Sequence, residues 1–275
     1  MKIVYWSPVH GQAGTTSNIL ATALITGMVY KKRCLLTQTH FNFNNLEAPL
    51  VGSNSKNAAS FEYFRDVGID ALVRSFKAAK LNKEVLENCC ISLPNTNVSL
   101  LPGTSKNNKD SFEYEMDAVF LNLMRTIEDI MGVVFVDVSS GNNPLSFKIM
   151  NDSDLVVINL SQNMGMTDAF FTYYIELIHS KVFYLFGNYD GNSKYNINNI
   201  RRRYWKSITP MNSGVIPYNT AYLDAQCDGR VNEFIRENMG CGKNDQNQYF
   251  IKKVRKATEK IVKLAGININ NEGGT

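Results

Sequence analysis

The stretch "VHGQAGTTSN" (9–18) follows an apolar run at the start of the chain and combines glycines with hydroxyl side chains. Gly11 and Gly14 allow a tight turn, and a helix is predicted to begin near Thr15. Backbone N–H groups at such a turn and at a helix N-terminus attract phosphate. The usual loop of this kind ends in Gly-Lys-[Ser/Thr], and its lysine neutralises phosphate charge. Because Thr15 stands in place of that lysine, the spacing predicts phosphate binding with less positive charge.

A carboxylate with a metal-binding context occurs in "GVVFVDVSSG" (132–141). Asp137 follows four apolar residues and precedes Gly141 by four positions. An aspartate at the end of a buried strand can hold Mg²⁺ through water, while the hydroxyl of Thr16 could bind the same ion directly. The alternative is that Asp137 caps the turn that follows it, because aspartate is a good local hydrogen-bond acceptor.

Short apolar runs rich in β-branched residues recur along the chain and would position these groups. They are continuous rather than alternating, which is typical of strands buried on both faces of a parallel sheet. We predict an α/β fold, a mostly parallel sheet with helices on both faces, with strands at 2–6, 33–37, 98–101, 132–138, 154–160, 181–187 and 214–217. Helical spacing of apolar residues predicts a helix over 112–131. Polar, turn-rich sequence predicts loops at 39–60 and 186–199.

Composition is that of a folded protein of 275 residues, with 44% hydrophobic and 20% charged residues. We predict one domain over 1–265 and a flexible tail over 266–275. The net charge of +4 is too small to indicate nucleic acid or membrane binding by itself. The five cysteines show no metal-ligand spacing, so we expect free thiols. With no signal peptide or apolar span in view, we expect a cytoplasmic protein.

The loop resembles the deviant Walker A motif of the ParA/MinD family of P-loop ATPases, Lys-Gly-Gly-x-Gly-Lys-Thr-Thr. Three glycine and threonine positions match, and His10 and Thr15 replace the two lysines. The resemblance implies that ATP or ADP is bound by the loop residues His10, Gly11, Gln12, Ala13, Gly14, Thr15, Thr16 and Ser17. It further implies that Thr16 and Asp137 hold Mg²⁺ and that Asn188, in "FGN", contacts adenine.

Two positions of the resemblance bear on hydrolysis. The family has Asp-x-Asp after its second strand, and this chain has Gln38 and His40 there in "LLTQTHFN". The first of those aspartates orients the attacking water, so we expect weak or no ATP hydrolysis and assign no catalytic residue. His10 and His40 are interpreted as loop residues, and phosphate contact by them is the alternative.

Within the family, the altered loop is similar to that of TadZ- and CpaE-like members. This similarity implies a homodimer that organises or positions pilus or secretion machinery through protein partners, at the membrane surface or a cell pole. Two alternatives stay open. One is an active partition ATPase of the ParA type that binds DNA non-specifically, and the other is a nucleotide-free scaffold.

Two basic segments each allow two interpretations. The stretch 249–266 has the pattern of a basic amphipathic helix, which either packs its apolar stripe on the domain or lies on an anionic membrane. The stretch "NIRRRYWKS" (199–207) is either a solvated helix face with packed aromatics or a contact for phosphate backbone and bases.

Overall fold

An eight-stranded sheet forms the centre of the molecule. The computed structural model describes residues 1–41, 46–52, 67–106, 108–242 and 245–268. Its strands are β1 (Lys2–Trp6), β2 (Cys34–Gln38), β3 (Ile91–Ser92), β4 (Val98–Leu100), β5 (Val133–Asp137), β6 (Leu155–Leu160), β7 (Val182–Tyr189) and β8 (Ser213–Pro217). The spatial order is β3-β4-β2-β5-β1-β6-β7-β8, and all pairs are parallel except the edge pair β3–β4.

Helices connect the strands and cover both faces of the sheet. They are α1 (Thr15–Val29), α2 (Ala48–Val51), α3 (Ile69–Lys77), α4 (Lys83–Asn88), α5 (Lys109–Met131), α6 (Pro144–Asn151), α7 (Met164–Tyr173), α8 (Ile197–Arg203), α9 (Thr220–Cys227), α10 (Val231–Asn238) and α11 (Gln248–Ala265). One apolar cluster joins the sheet to α1, α10 and α11. A second joins the opposite face to α3, α5, α6 and α7. The predicted α/β fold with a mostly parallel sheet is confirmed.

The structure differs from several local predictions. The two-residue strand β3 has no apolar run to signal it, and α2 lies inside the predicted loop 39–60. The predicted loop 186–199 is shortened by β7, which continues to Tyr189. Ile267, assigned to the flexible tail, is buried and donates its N–H to the carbonyl of Val262 at 2.9 Å. Residues 42–45 and 53–60 of the first loop, and 269–275 of the tail, lie outside the described residues.

The described part of the chain has no helix that is both long and apolar enough to span a bilayer. None of the five cysteines, all of which lie within the described residues, forms a disulfide. Cys89 is buried at the end of α4, where it packs with the apolar cluster on that face of the sheet.

Candidate functional site

The glycine loop lies between β1 and α1, directly above the carboxyl end of β7. Gly14 adopts a left-handed conformation (φ 62°) at the start of α1, and its carbonyl accepts the N–H of Asn18 at 2.8 Å. A Cβ atom on Gly187 would lie only 2.1 Å from the carbonyl oxygen of Ala13. The loop backbone therefore rests on the backbone of β7, and this contact tolerates no side chain.

A buried amide pair fixes the loop from below. The Asn18 side chain donates to the carbonyl of Ala13 at 3.1 Å and to Oδ1 of Asn159 at 2.9 Å. Asn159 in turn donates to the carbonyl of Trp6 at 3.2 Å. Both amides are buried, so the loop loses satisfied hydrogen bonds if it moves. The turn is thus held in place without any ligand.

Thr16 and Asp137 meet at the N-terminus of α1. Strand β5 pairs with β1 so that Asp137 lies beside Tyr5, at the edge where the loop begins. The hydroxyl of Thr16 donates to Oδ2 of Asp137 at 2.8 Å. The predicted pair of metal-holding groups is therefore brought together from 121 residues apart in the sequence.

His40 contacts the same carboxylate. Its Nε2 lies 3.5 Å from Oδ2 of Asp137, and the side chain is only 5% exposed. Burial lowers the pKa of His40, but the hydrogen bond and charge of Asp137 and the charge of Glu47 raise it, so that the pKa stands above its usual value. Within the described residues, Nδ1 of His40 is buried without a hydrogen-bond partner. The sequence interpretation treated His40 as an ordinary loop residue, and only the tertiary structure shows this contact.

Gln38 holds the backbone of the β2 loop. Its Oε1 accepts the N–H of Leu46 at 2.8 Å, and a Cβ on Gly103 would lie 2.6 Å from its Nε2. The Gln38 side chain therefore contacts the loops that follow β2 and β4. It does not line the cavity described next.

A cavity of about 500 Å³ opens beside the glycine loop. Of the predicted nucleotide-binding residues, seven line it, namely His10, Gly11, Gly14, Thr15, Thr16, Ser17 and Asn188. Gln12 and Ala13 do not. Gln12 is exposed and lies 3.5 Å from the amide of Asn163, and Ala13 is buried with its carbonyl bonded to Asn18. Asn188 is exposed in a left-handed conformation (φ 47°) beside Gly14.

The far wall of the cavity comes from the β8–α9 connection. Its residues include Pro217, Tyr218, Asn219 and Leu223. Ser17 donates to Oε1 of Gln226 at 2.5 Å, which ties α9 to the start of α1. No role was predicted from the sequence for the residues of this wall.

The cavity is built around the glycine loop, but its lining has little positive side-chain charge. None of its described lining residues is a lysine or an arginine, and the only lining side chains that can become cationic are His10 and His40. Backbone N–H groups and the N-terminal end of the α1 dipole remain as fixed positive partial charges.

The donor set fits a magnesium ion held together with phosphates. The described residues contain no group of three or more His, Cys, Asp or Glu side chains that could hold a metal. Mg²⁺ is commonly bound through one or two carboxylates together with substrate phosphates and waters. One hydroxyl, from Thr16, and one carboxylate, from Asp137, meet that requirement only when phosphate is present.

In both basic segments, many side chains pack on the domain or form hydrogen bonds and ion pairs within it. The apolar stripe of α11 is buried, with Phe250, Val254 and Ile261 at most 1% exposed, as the packing interpretation predicts. On α8, Arg201 donates to Ser213 at 2.9 Å and Arg203 pairs with Asp168 at 2.7 Å. Tyr204 stacks on Phe171 with ring centroids 4.6 Å apart.

Solved structures are similar to this chain, whereas sequence comparisons find no similar protein. No family model matches the chain, and no curated protein sequence matches it significantly. Solved structures do match over almost their full length. MinD from Pyrococcus horikoshii OT3, complexed with Mg-ADP, has a TM-score of 0.67 at 13% identity, covering 97% of this chain and 98% of its own.

Two further structures agree. A ParA family ATPase from Chlorobium tepidum TLS has a TM-score of 0.67 at 12% identity, covering 94% of this chain and 98% of its own. The cell division ATPase MinD from Pyrococcus furiosus has a TM-score of 0.64 at 16% identity, again covering 94% and 98%. This chain has the MinD/ParA fold. In this chain Thr16 contacts Asp137, and the glycine loop between β1 and α1 contains no lysine.

Proposed function

We propose that this chain binds ATP or ADP with Mg²⁺ in the cavity beside the glycine loop, and that it hydrolyses ATP slowly or not at all. The observation that carries the proposal is the 2.8 Å hydrogen bond between Thr16 and Asp137 at the N-terminus of α1. It joins a hydroxyl and a carboxylate at the point where backbone N–H groups attract phosphate. The Mg-ADP in the structurally similar MinD supports the same ligand class here.

Weak affinity follows from the charge of the cavity. A hydrogen bond to a charged group contributes about 1.5–3 kcal/mol, so the missing lysine removes roughly that much from phosphate binding. The loop amides, the helix dipole and the metal ion still favour phosphate. Thr16 would bind the ion directly and Asp137 would hold it through water, while Tyr218 and Leu223 offer an apolar wall for a base.

Slow hydrolysis follows from the side chains after β2. A water attacking the γ-phosphate has to be oriented by a nearby acceptor. Gln38 is bonded to Leu46 and lies outside the cavity wall, and His40 is engaged with Asp137. Neither side chain is a carboxylate, so the acceptor that the ParA/MinD pattern has after its second strand is missing here.

The cellular role in this proposal is organisational. The resemblance of the loop to TadZ- and CpaE-like proteins and the MinD/ParA fold support a protein that dimerises with nucleotide and recruits protein partners. The partners would belong to a pilus, secretion or partition system. No DNA contact is part of this proposal, because two of the three arginines in 199–207 bond to Ser213 and Asp168.

The test is calorimetric titration with Mg-ATP and Mg-ADP, with the mass in solution measured alongside. We expect ATP binding that is accompanied by dimerisation, and little phosphate release. Thr16→Ala should weaken binding in the presence of Mg²⁺, whereas Thr172→Ala, which removes a hydroxyl bonded to the carbonyl of Asp168, should not.

Two results contradict the proposal. Absence of binding up to millimolar nucleotide, with unchanged thermal stability, makes the chain a nucleotide-free scaffold, because a ligand of the folded state has to stabilise it. ATP-dependent, salt-sensitive DNA binding together with rapid hydrolysis makes it an active partition ATPase.

A further inference from the structure

A second concave surface lies at the other end of α1 and is independent of the nucleotide cavity. It is a groove of about 650 Å³ between the end of α1, Met239 and Cys241 after α10, and α11 itself. Its basic side chains all come from α11: Lys252, Arg255, Lys256 and Lys263. Its apolar lining includes Val29, Met239 and Ile251. This surface is called the basic groove below.

Most of this positive charge has no internal partner. Glu259 is the only acidic residue among the described lining residues, and it pairs with Lys263 at 2.5 Å. Within the described residues, Lys252, Arg255 and Lys256 form no ion pair. Lys252 and Lys256 are four residues apart on one helix, which is a destabilising spacing for like charges.

The surroundings add to the charge. The run Lys31-Lys32-Arg33 follows directly after Tyr30, which lines the basic groove. Burial lowers the pKa of Lys260, on the same helix, and the positive charges of Arg201, Lys256 and Lys253 lower it further. Lys252, Arg255 and Lys256 therefore lie among further positive charges without an ion-pair partner among the described residues, and an anionic partner would supply the opposite charge.

We propose that the basic groove binds an acidic segment of a partner protein that carries at least one apolar side chain. Charge complementarity selects Asp and Glu side chains, which would pair with Lys252, Arg255 and Lys256 along one side of the groove. The apolar lining selects a protein segment over a purely ionic ligand, and Met239 is a flexible side chain that adapts to different apolar partners.

Two other anionic partners fit less well. A helix that lies in a membrane surface buries its apolar face in lipid, and the apolar face of α11 is already buried against the domain. Nucleic acid presents phosphates without apolar groups, so it would leave the partly exposed Val29 and Met239 uncovered and would place phosphate near Glu259.

The experiment measures fluorescence anisotropy of a labelled amphipathic peptide of glutamate, alanine and leucine, added to the full chain. A scrambled peptide of the same composition, a DNA duplex, and phosphatidylcholine vesicles with and without phosphatidylserine are compared. The groove variant combines Lys252→Glu, Arg255→Glu and Lys256→Glu. The matched control changes three exposed basic residues elsewhere by the same total charge, Lys80→Glu, Lys181→Glu and Arg202→Glu.

We expect the amphipathic peptide to bind, and the groove variant to lose at least about tenfold in affinity while the control variant stays within about threefold. Met239→Ala should weaken the amphipathic peptide more than the scrambled one. If charge reversal prevents folding, the same three positions are changed to glutamine.

Three results overturn the proposal. Equal loss in both triple variants means that the peptide responds to net charge and not to the groove. Binding of DNA or of phosphatidylserine vesicles that depends on the groove, without peptide binding, assigns the surface to those partners. Absence of binding to either peptide at low salt removes the acidic segment as the ligand.

Discussion

The two ends of helix α1 carry opposite combinations of shape and charge. The N-terminal end faces the cavity beside the glycine loop, which has a glycine turn and a helix terminus but no lysine or arginine among its described lining residues. The C-terminal end faces the basic groove, where α11 contributes four basic side chains. The 15 residues of α1 separate the two ends by about 22 Å.

At one end of α1 the backbone supplies the positive charge, and at the other end side chains supply it. At the N-terminal end the positive partial charge comes from peptide groups, which the fold sets and substitution cannot remove. At the C-terminal end the charge comes from exposed side chains on a helix that packs on the domain chiefly through its apolar stripe. Charge at the first site is therefore tied to geometry, while charge at the second can change without affecting the fold.

The largest effect that separates the two regions is expected from Gly187→Ala. Its Cβ would lie 2.1 Å from the carbonyl of Ala13, so the loop has to shift and its buried hydrogen bonds are strained. We expect the free energy of unfolding to fall by about 3 kcal/mol or more, together with loss of nucleotide binding. Urea denaturation and calorimetry measure the two effects.

The matched substitution under α11 is Gly214→Ala. Its Cβ would lie 3.1 Å from the Cβ of Ala257 and 3.1 Å from Cζ of Phe183, which is tight but not a backbone clash. We expect a loss of about 1–2 kcal/mol and unchanged nucleotide binding. Equal losses at the two glycines would mean that the loop does not rest rigidly on β7.

Restoring charge to the cavity is the next test. Thr15→Lys places an ammonium group at the start of α1, and we expect Mg-ATP affinity to rise roughly ten- to a hundredfold. Asn198→Lys, on the exposed face of α8, is the control for added charge and should have no effect. If Thr15→Lys brings no gain, the loop amides are not aligned on phosphate and the shape argument fails.

Asp137→Asn tests the metal-holding role with little change in size. We expect about a tenfold loss of Mg-ATP affinity, because outer groups of a metal site contribute about that much, and no loss when Mg²⁺ is chelated. The exposed Asp129→Asn on α5 is the control. A magnesium response that survives Asp137→Asn takes this carboxylate out of the site.

The smallest effect concerns the basic groove. Lys256→Gln removes a like-charge contact at little cost in helix propensity, so we expect the free energy of unfolding to rise by about 0.3 kcal/mol at low salt. As the control, Lys83→Gln breaks the ion pair with Glu87 at 3.8 Å, so the free energy of unfolding should fall slightly. Both differences should vanish at high salt in thermal melts. A loss of stability in Lys256→Gln would mean that this lysine is not repelled by its neighbours.

Most of the sheet could be predicted because buried parallel strands carry a continuous apolar signal. Within one residue of their predicted bounds lie the strands β1, β2, β4, β5, β6 and β8. Strand β3 could not be predicted, since two residues at a sheet edge are too short to leave a pattern. Ile267 packs into the apolar cluster. It was assigned to the flexible tail because the polar sequence after Gly266 gives no periodic apolar signal.

The candidate site was predicted in part. The loop and Asp137 could be found because strand-turn-helix sequences have a characteristic glycine and hydroxyl pattern. The wall formed by Tyr218 and Leu223 and the contact of His40 with Asp137 could not, since they depend on which strands are neighbours in the sheet.

The sequence by itself determined the α/β class, the loop type, the missing lysines and the apolar stripe of α11, because each is a local pattern of residue types. Only the tertiary structure decided that Thr16 reaches Asp137, that His40 shares that carboxylate, and that the basic face of α11 forms a groove with the end of α1. The reason is physical. Strand order brings residues more than a hundred positions apart into contact, and no local periodicity encodes that order.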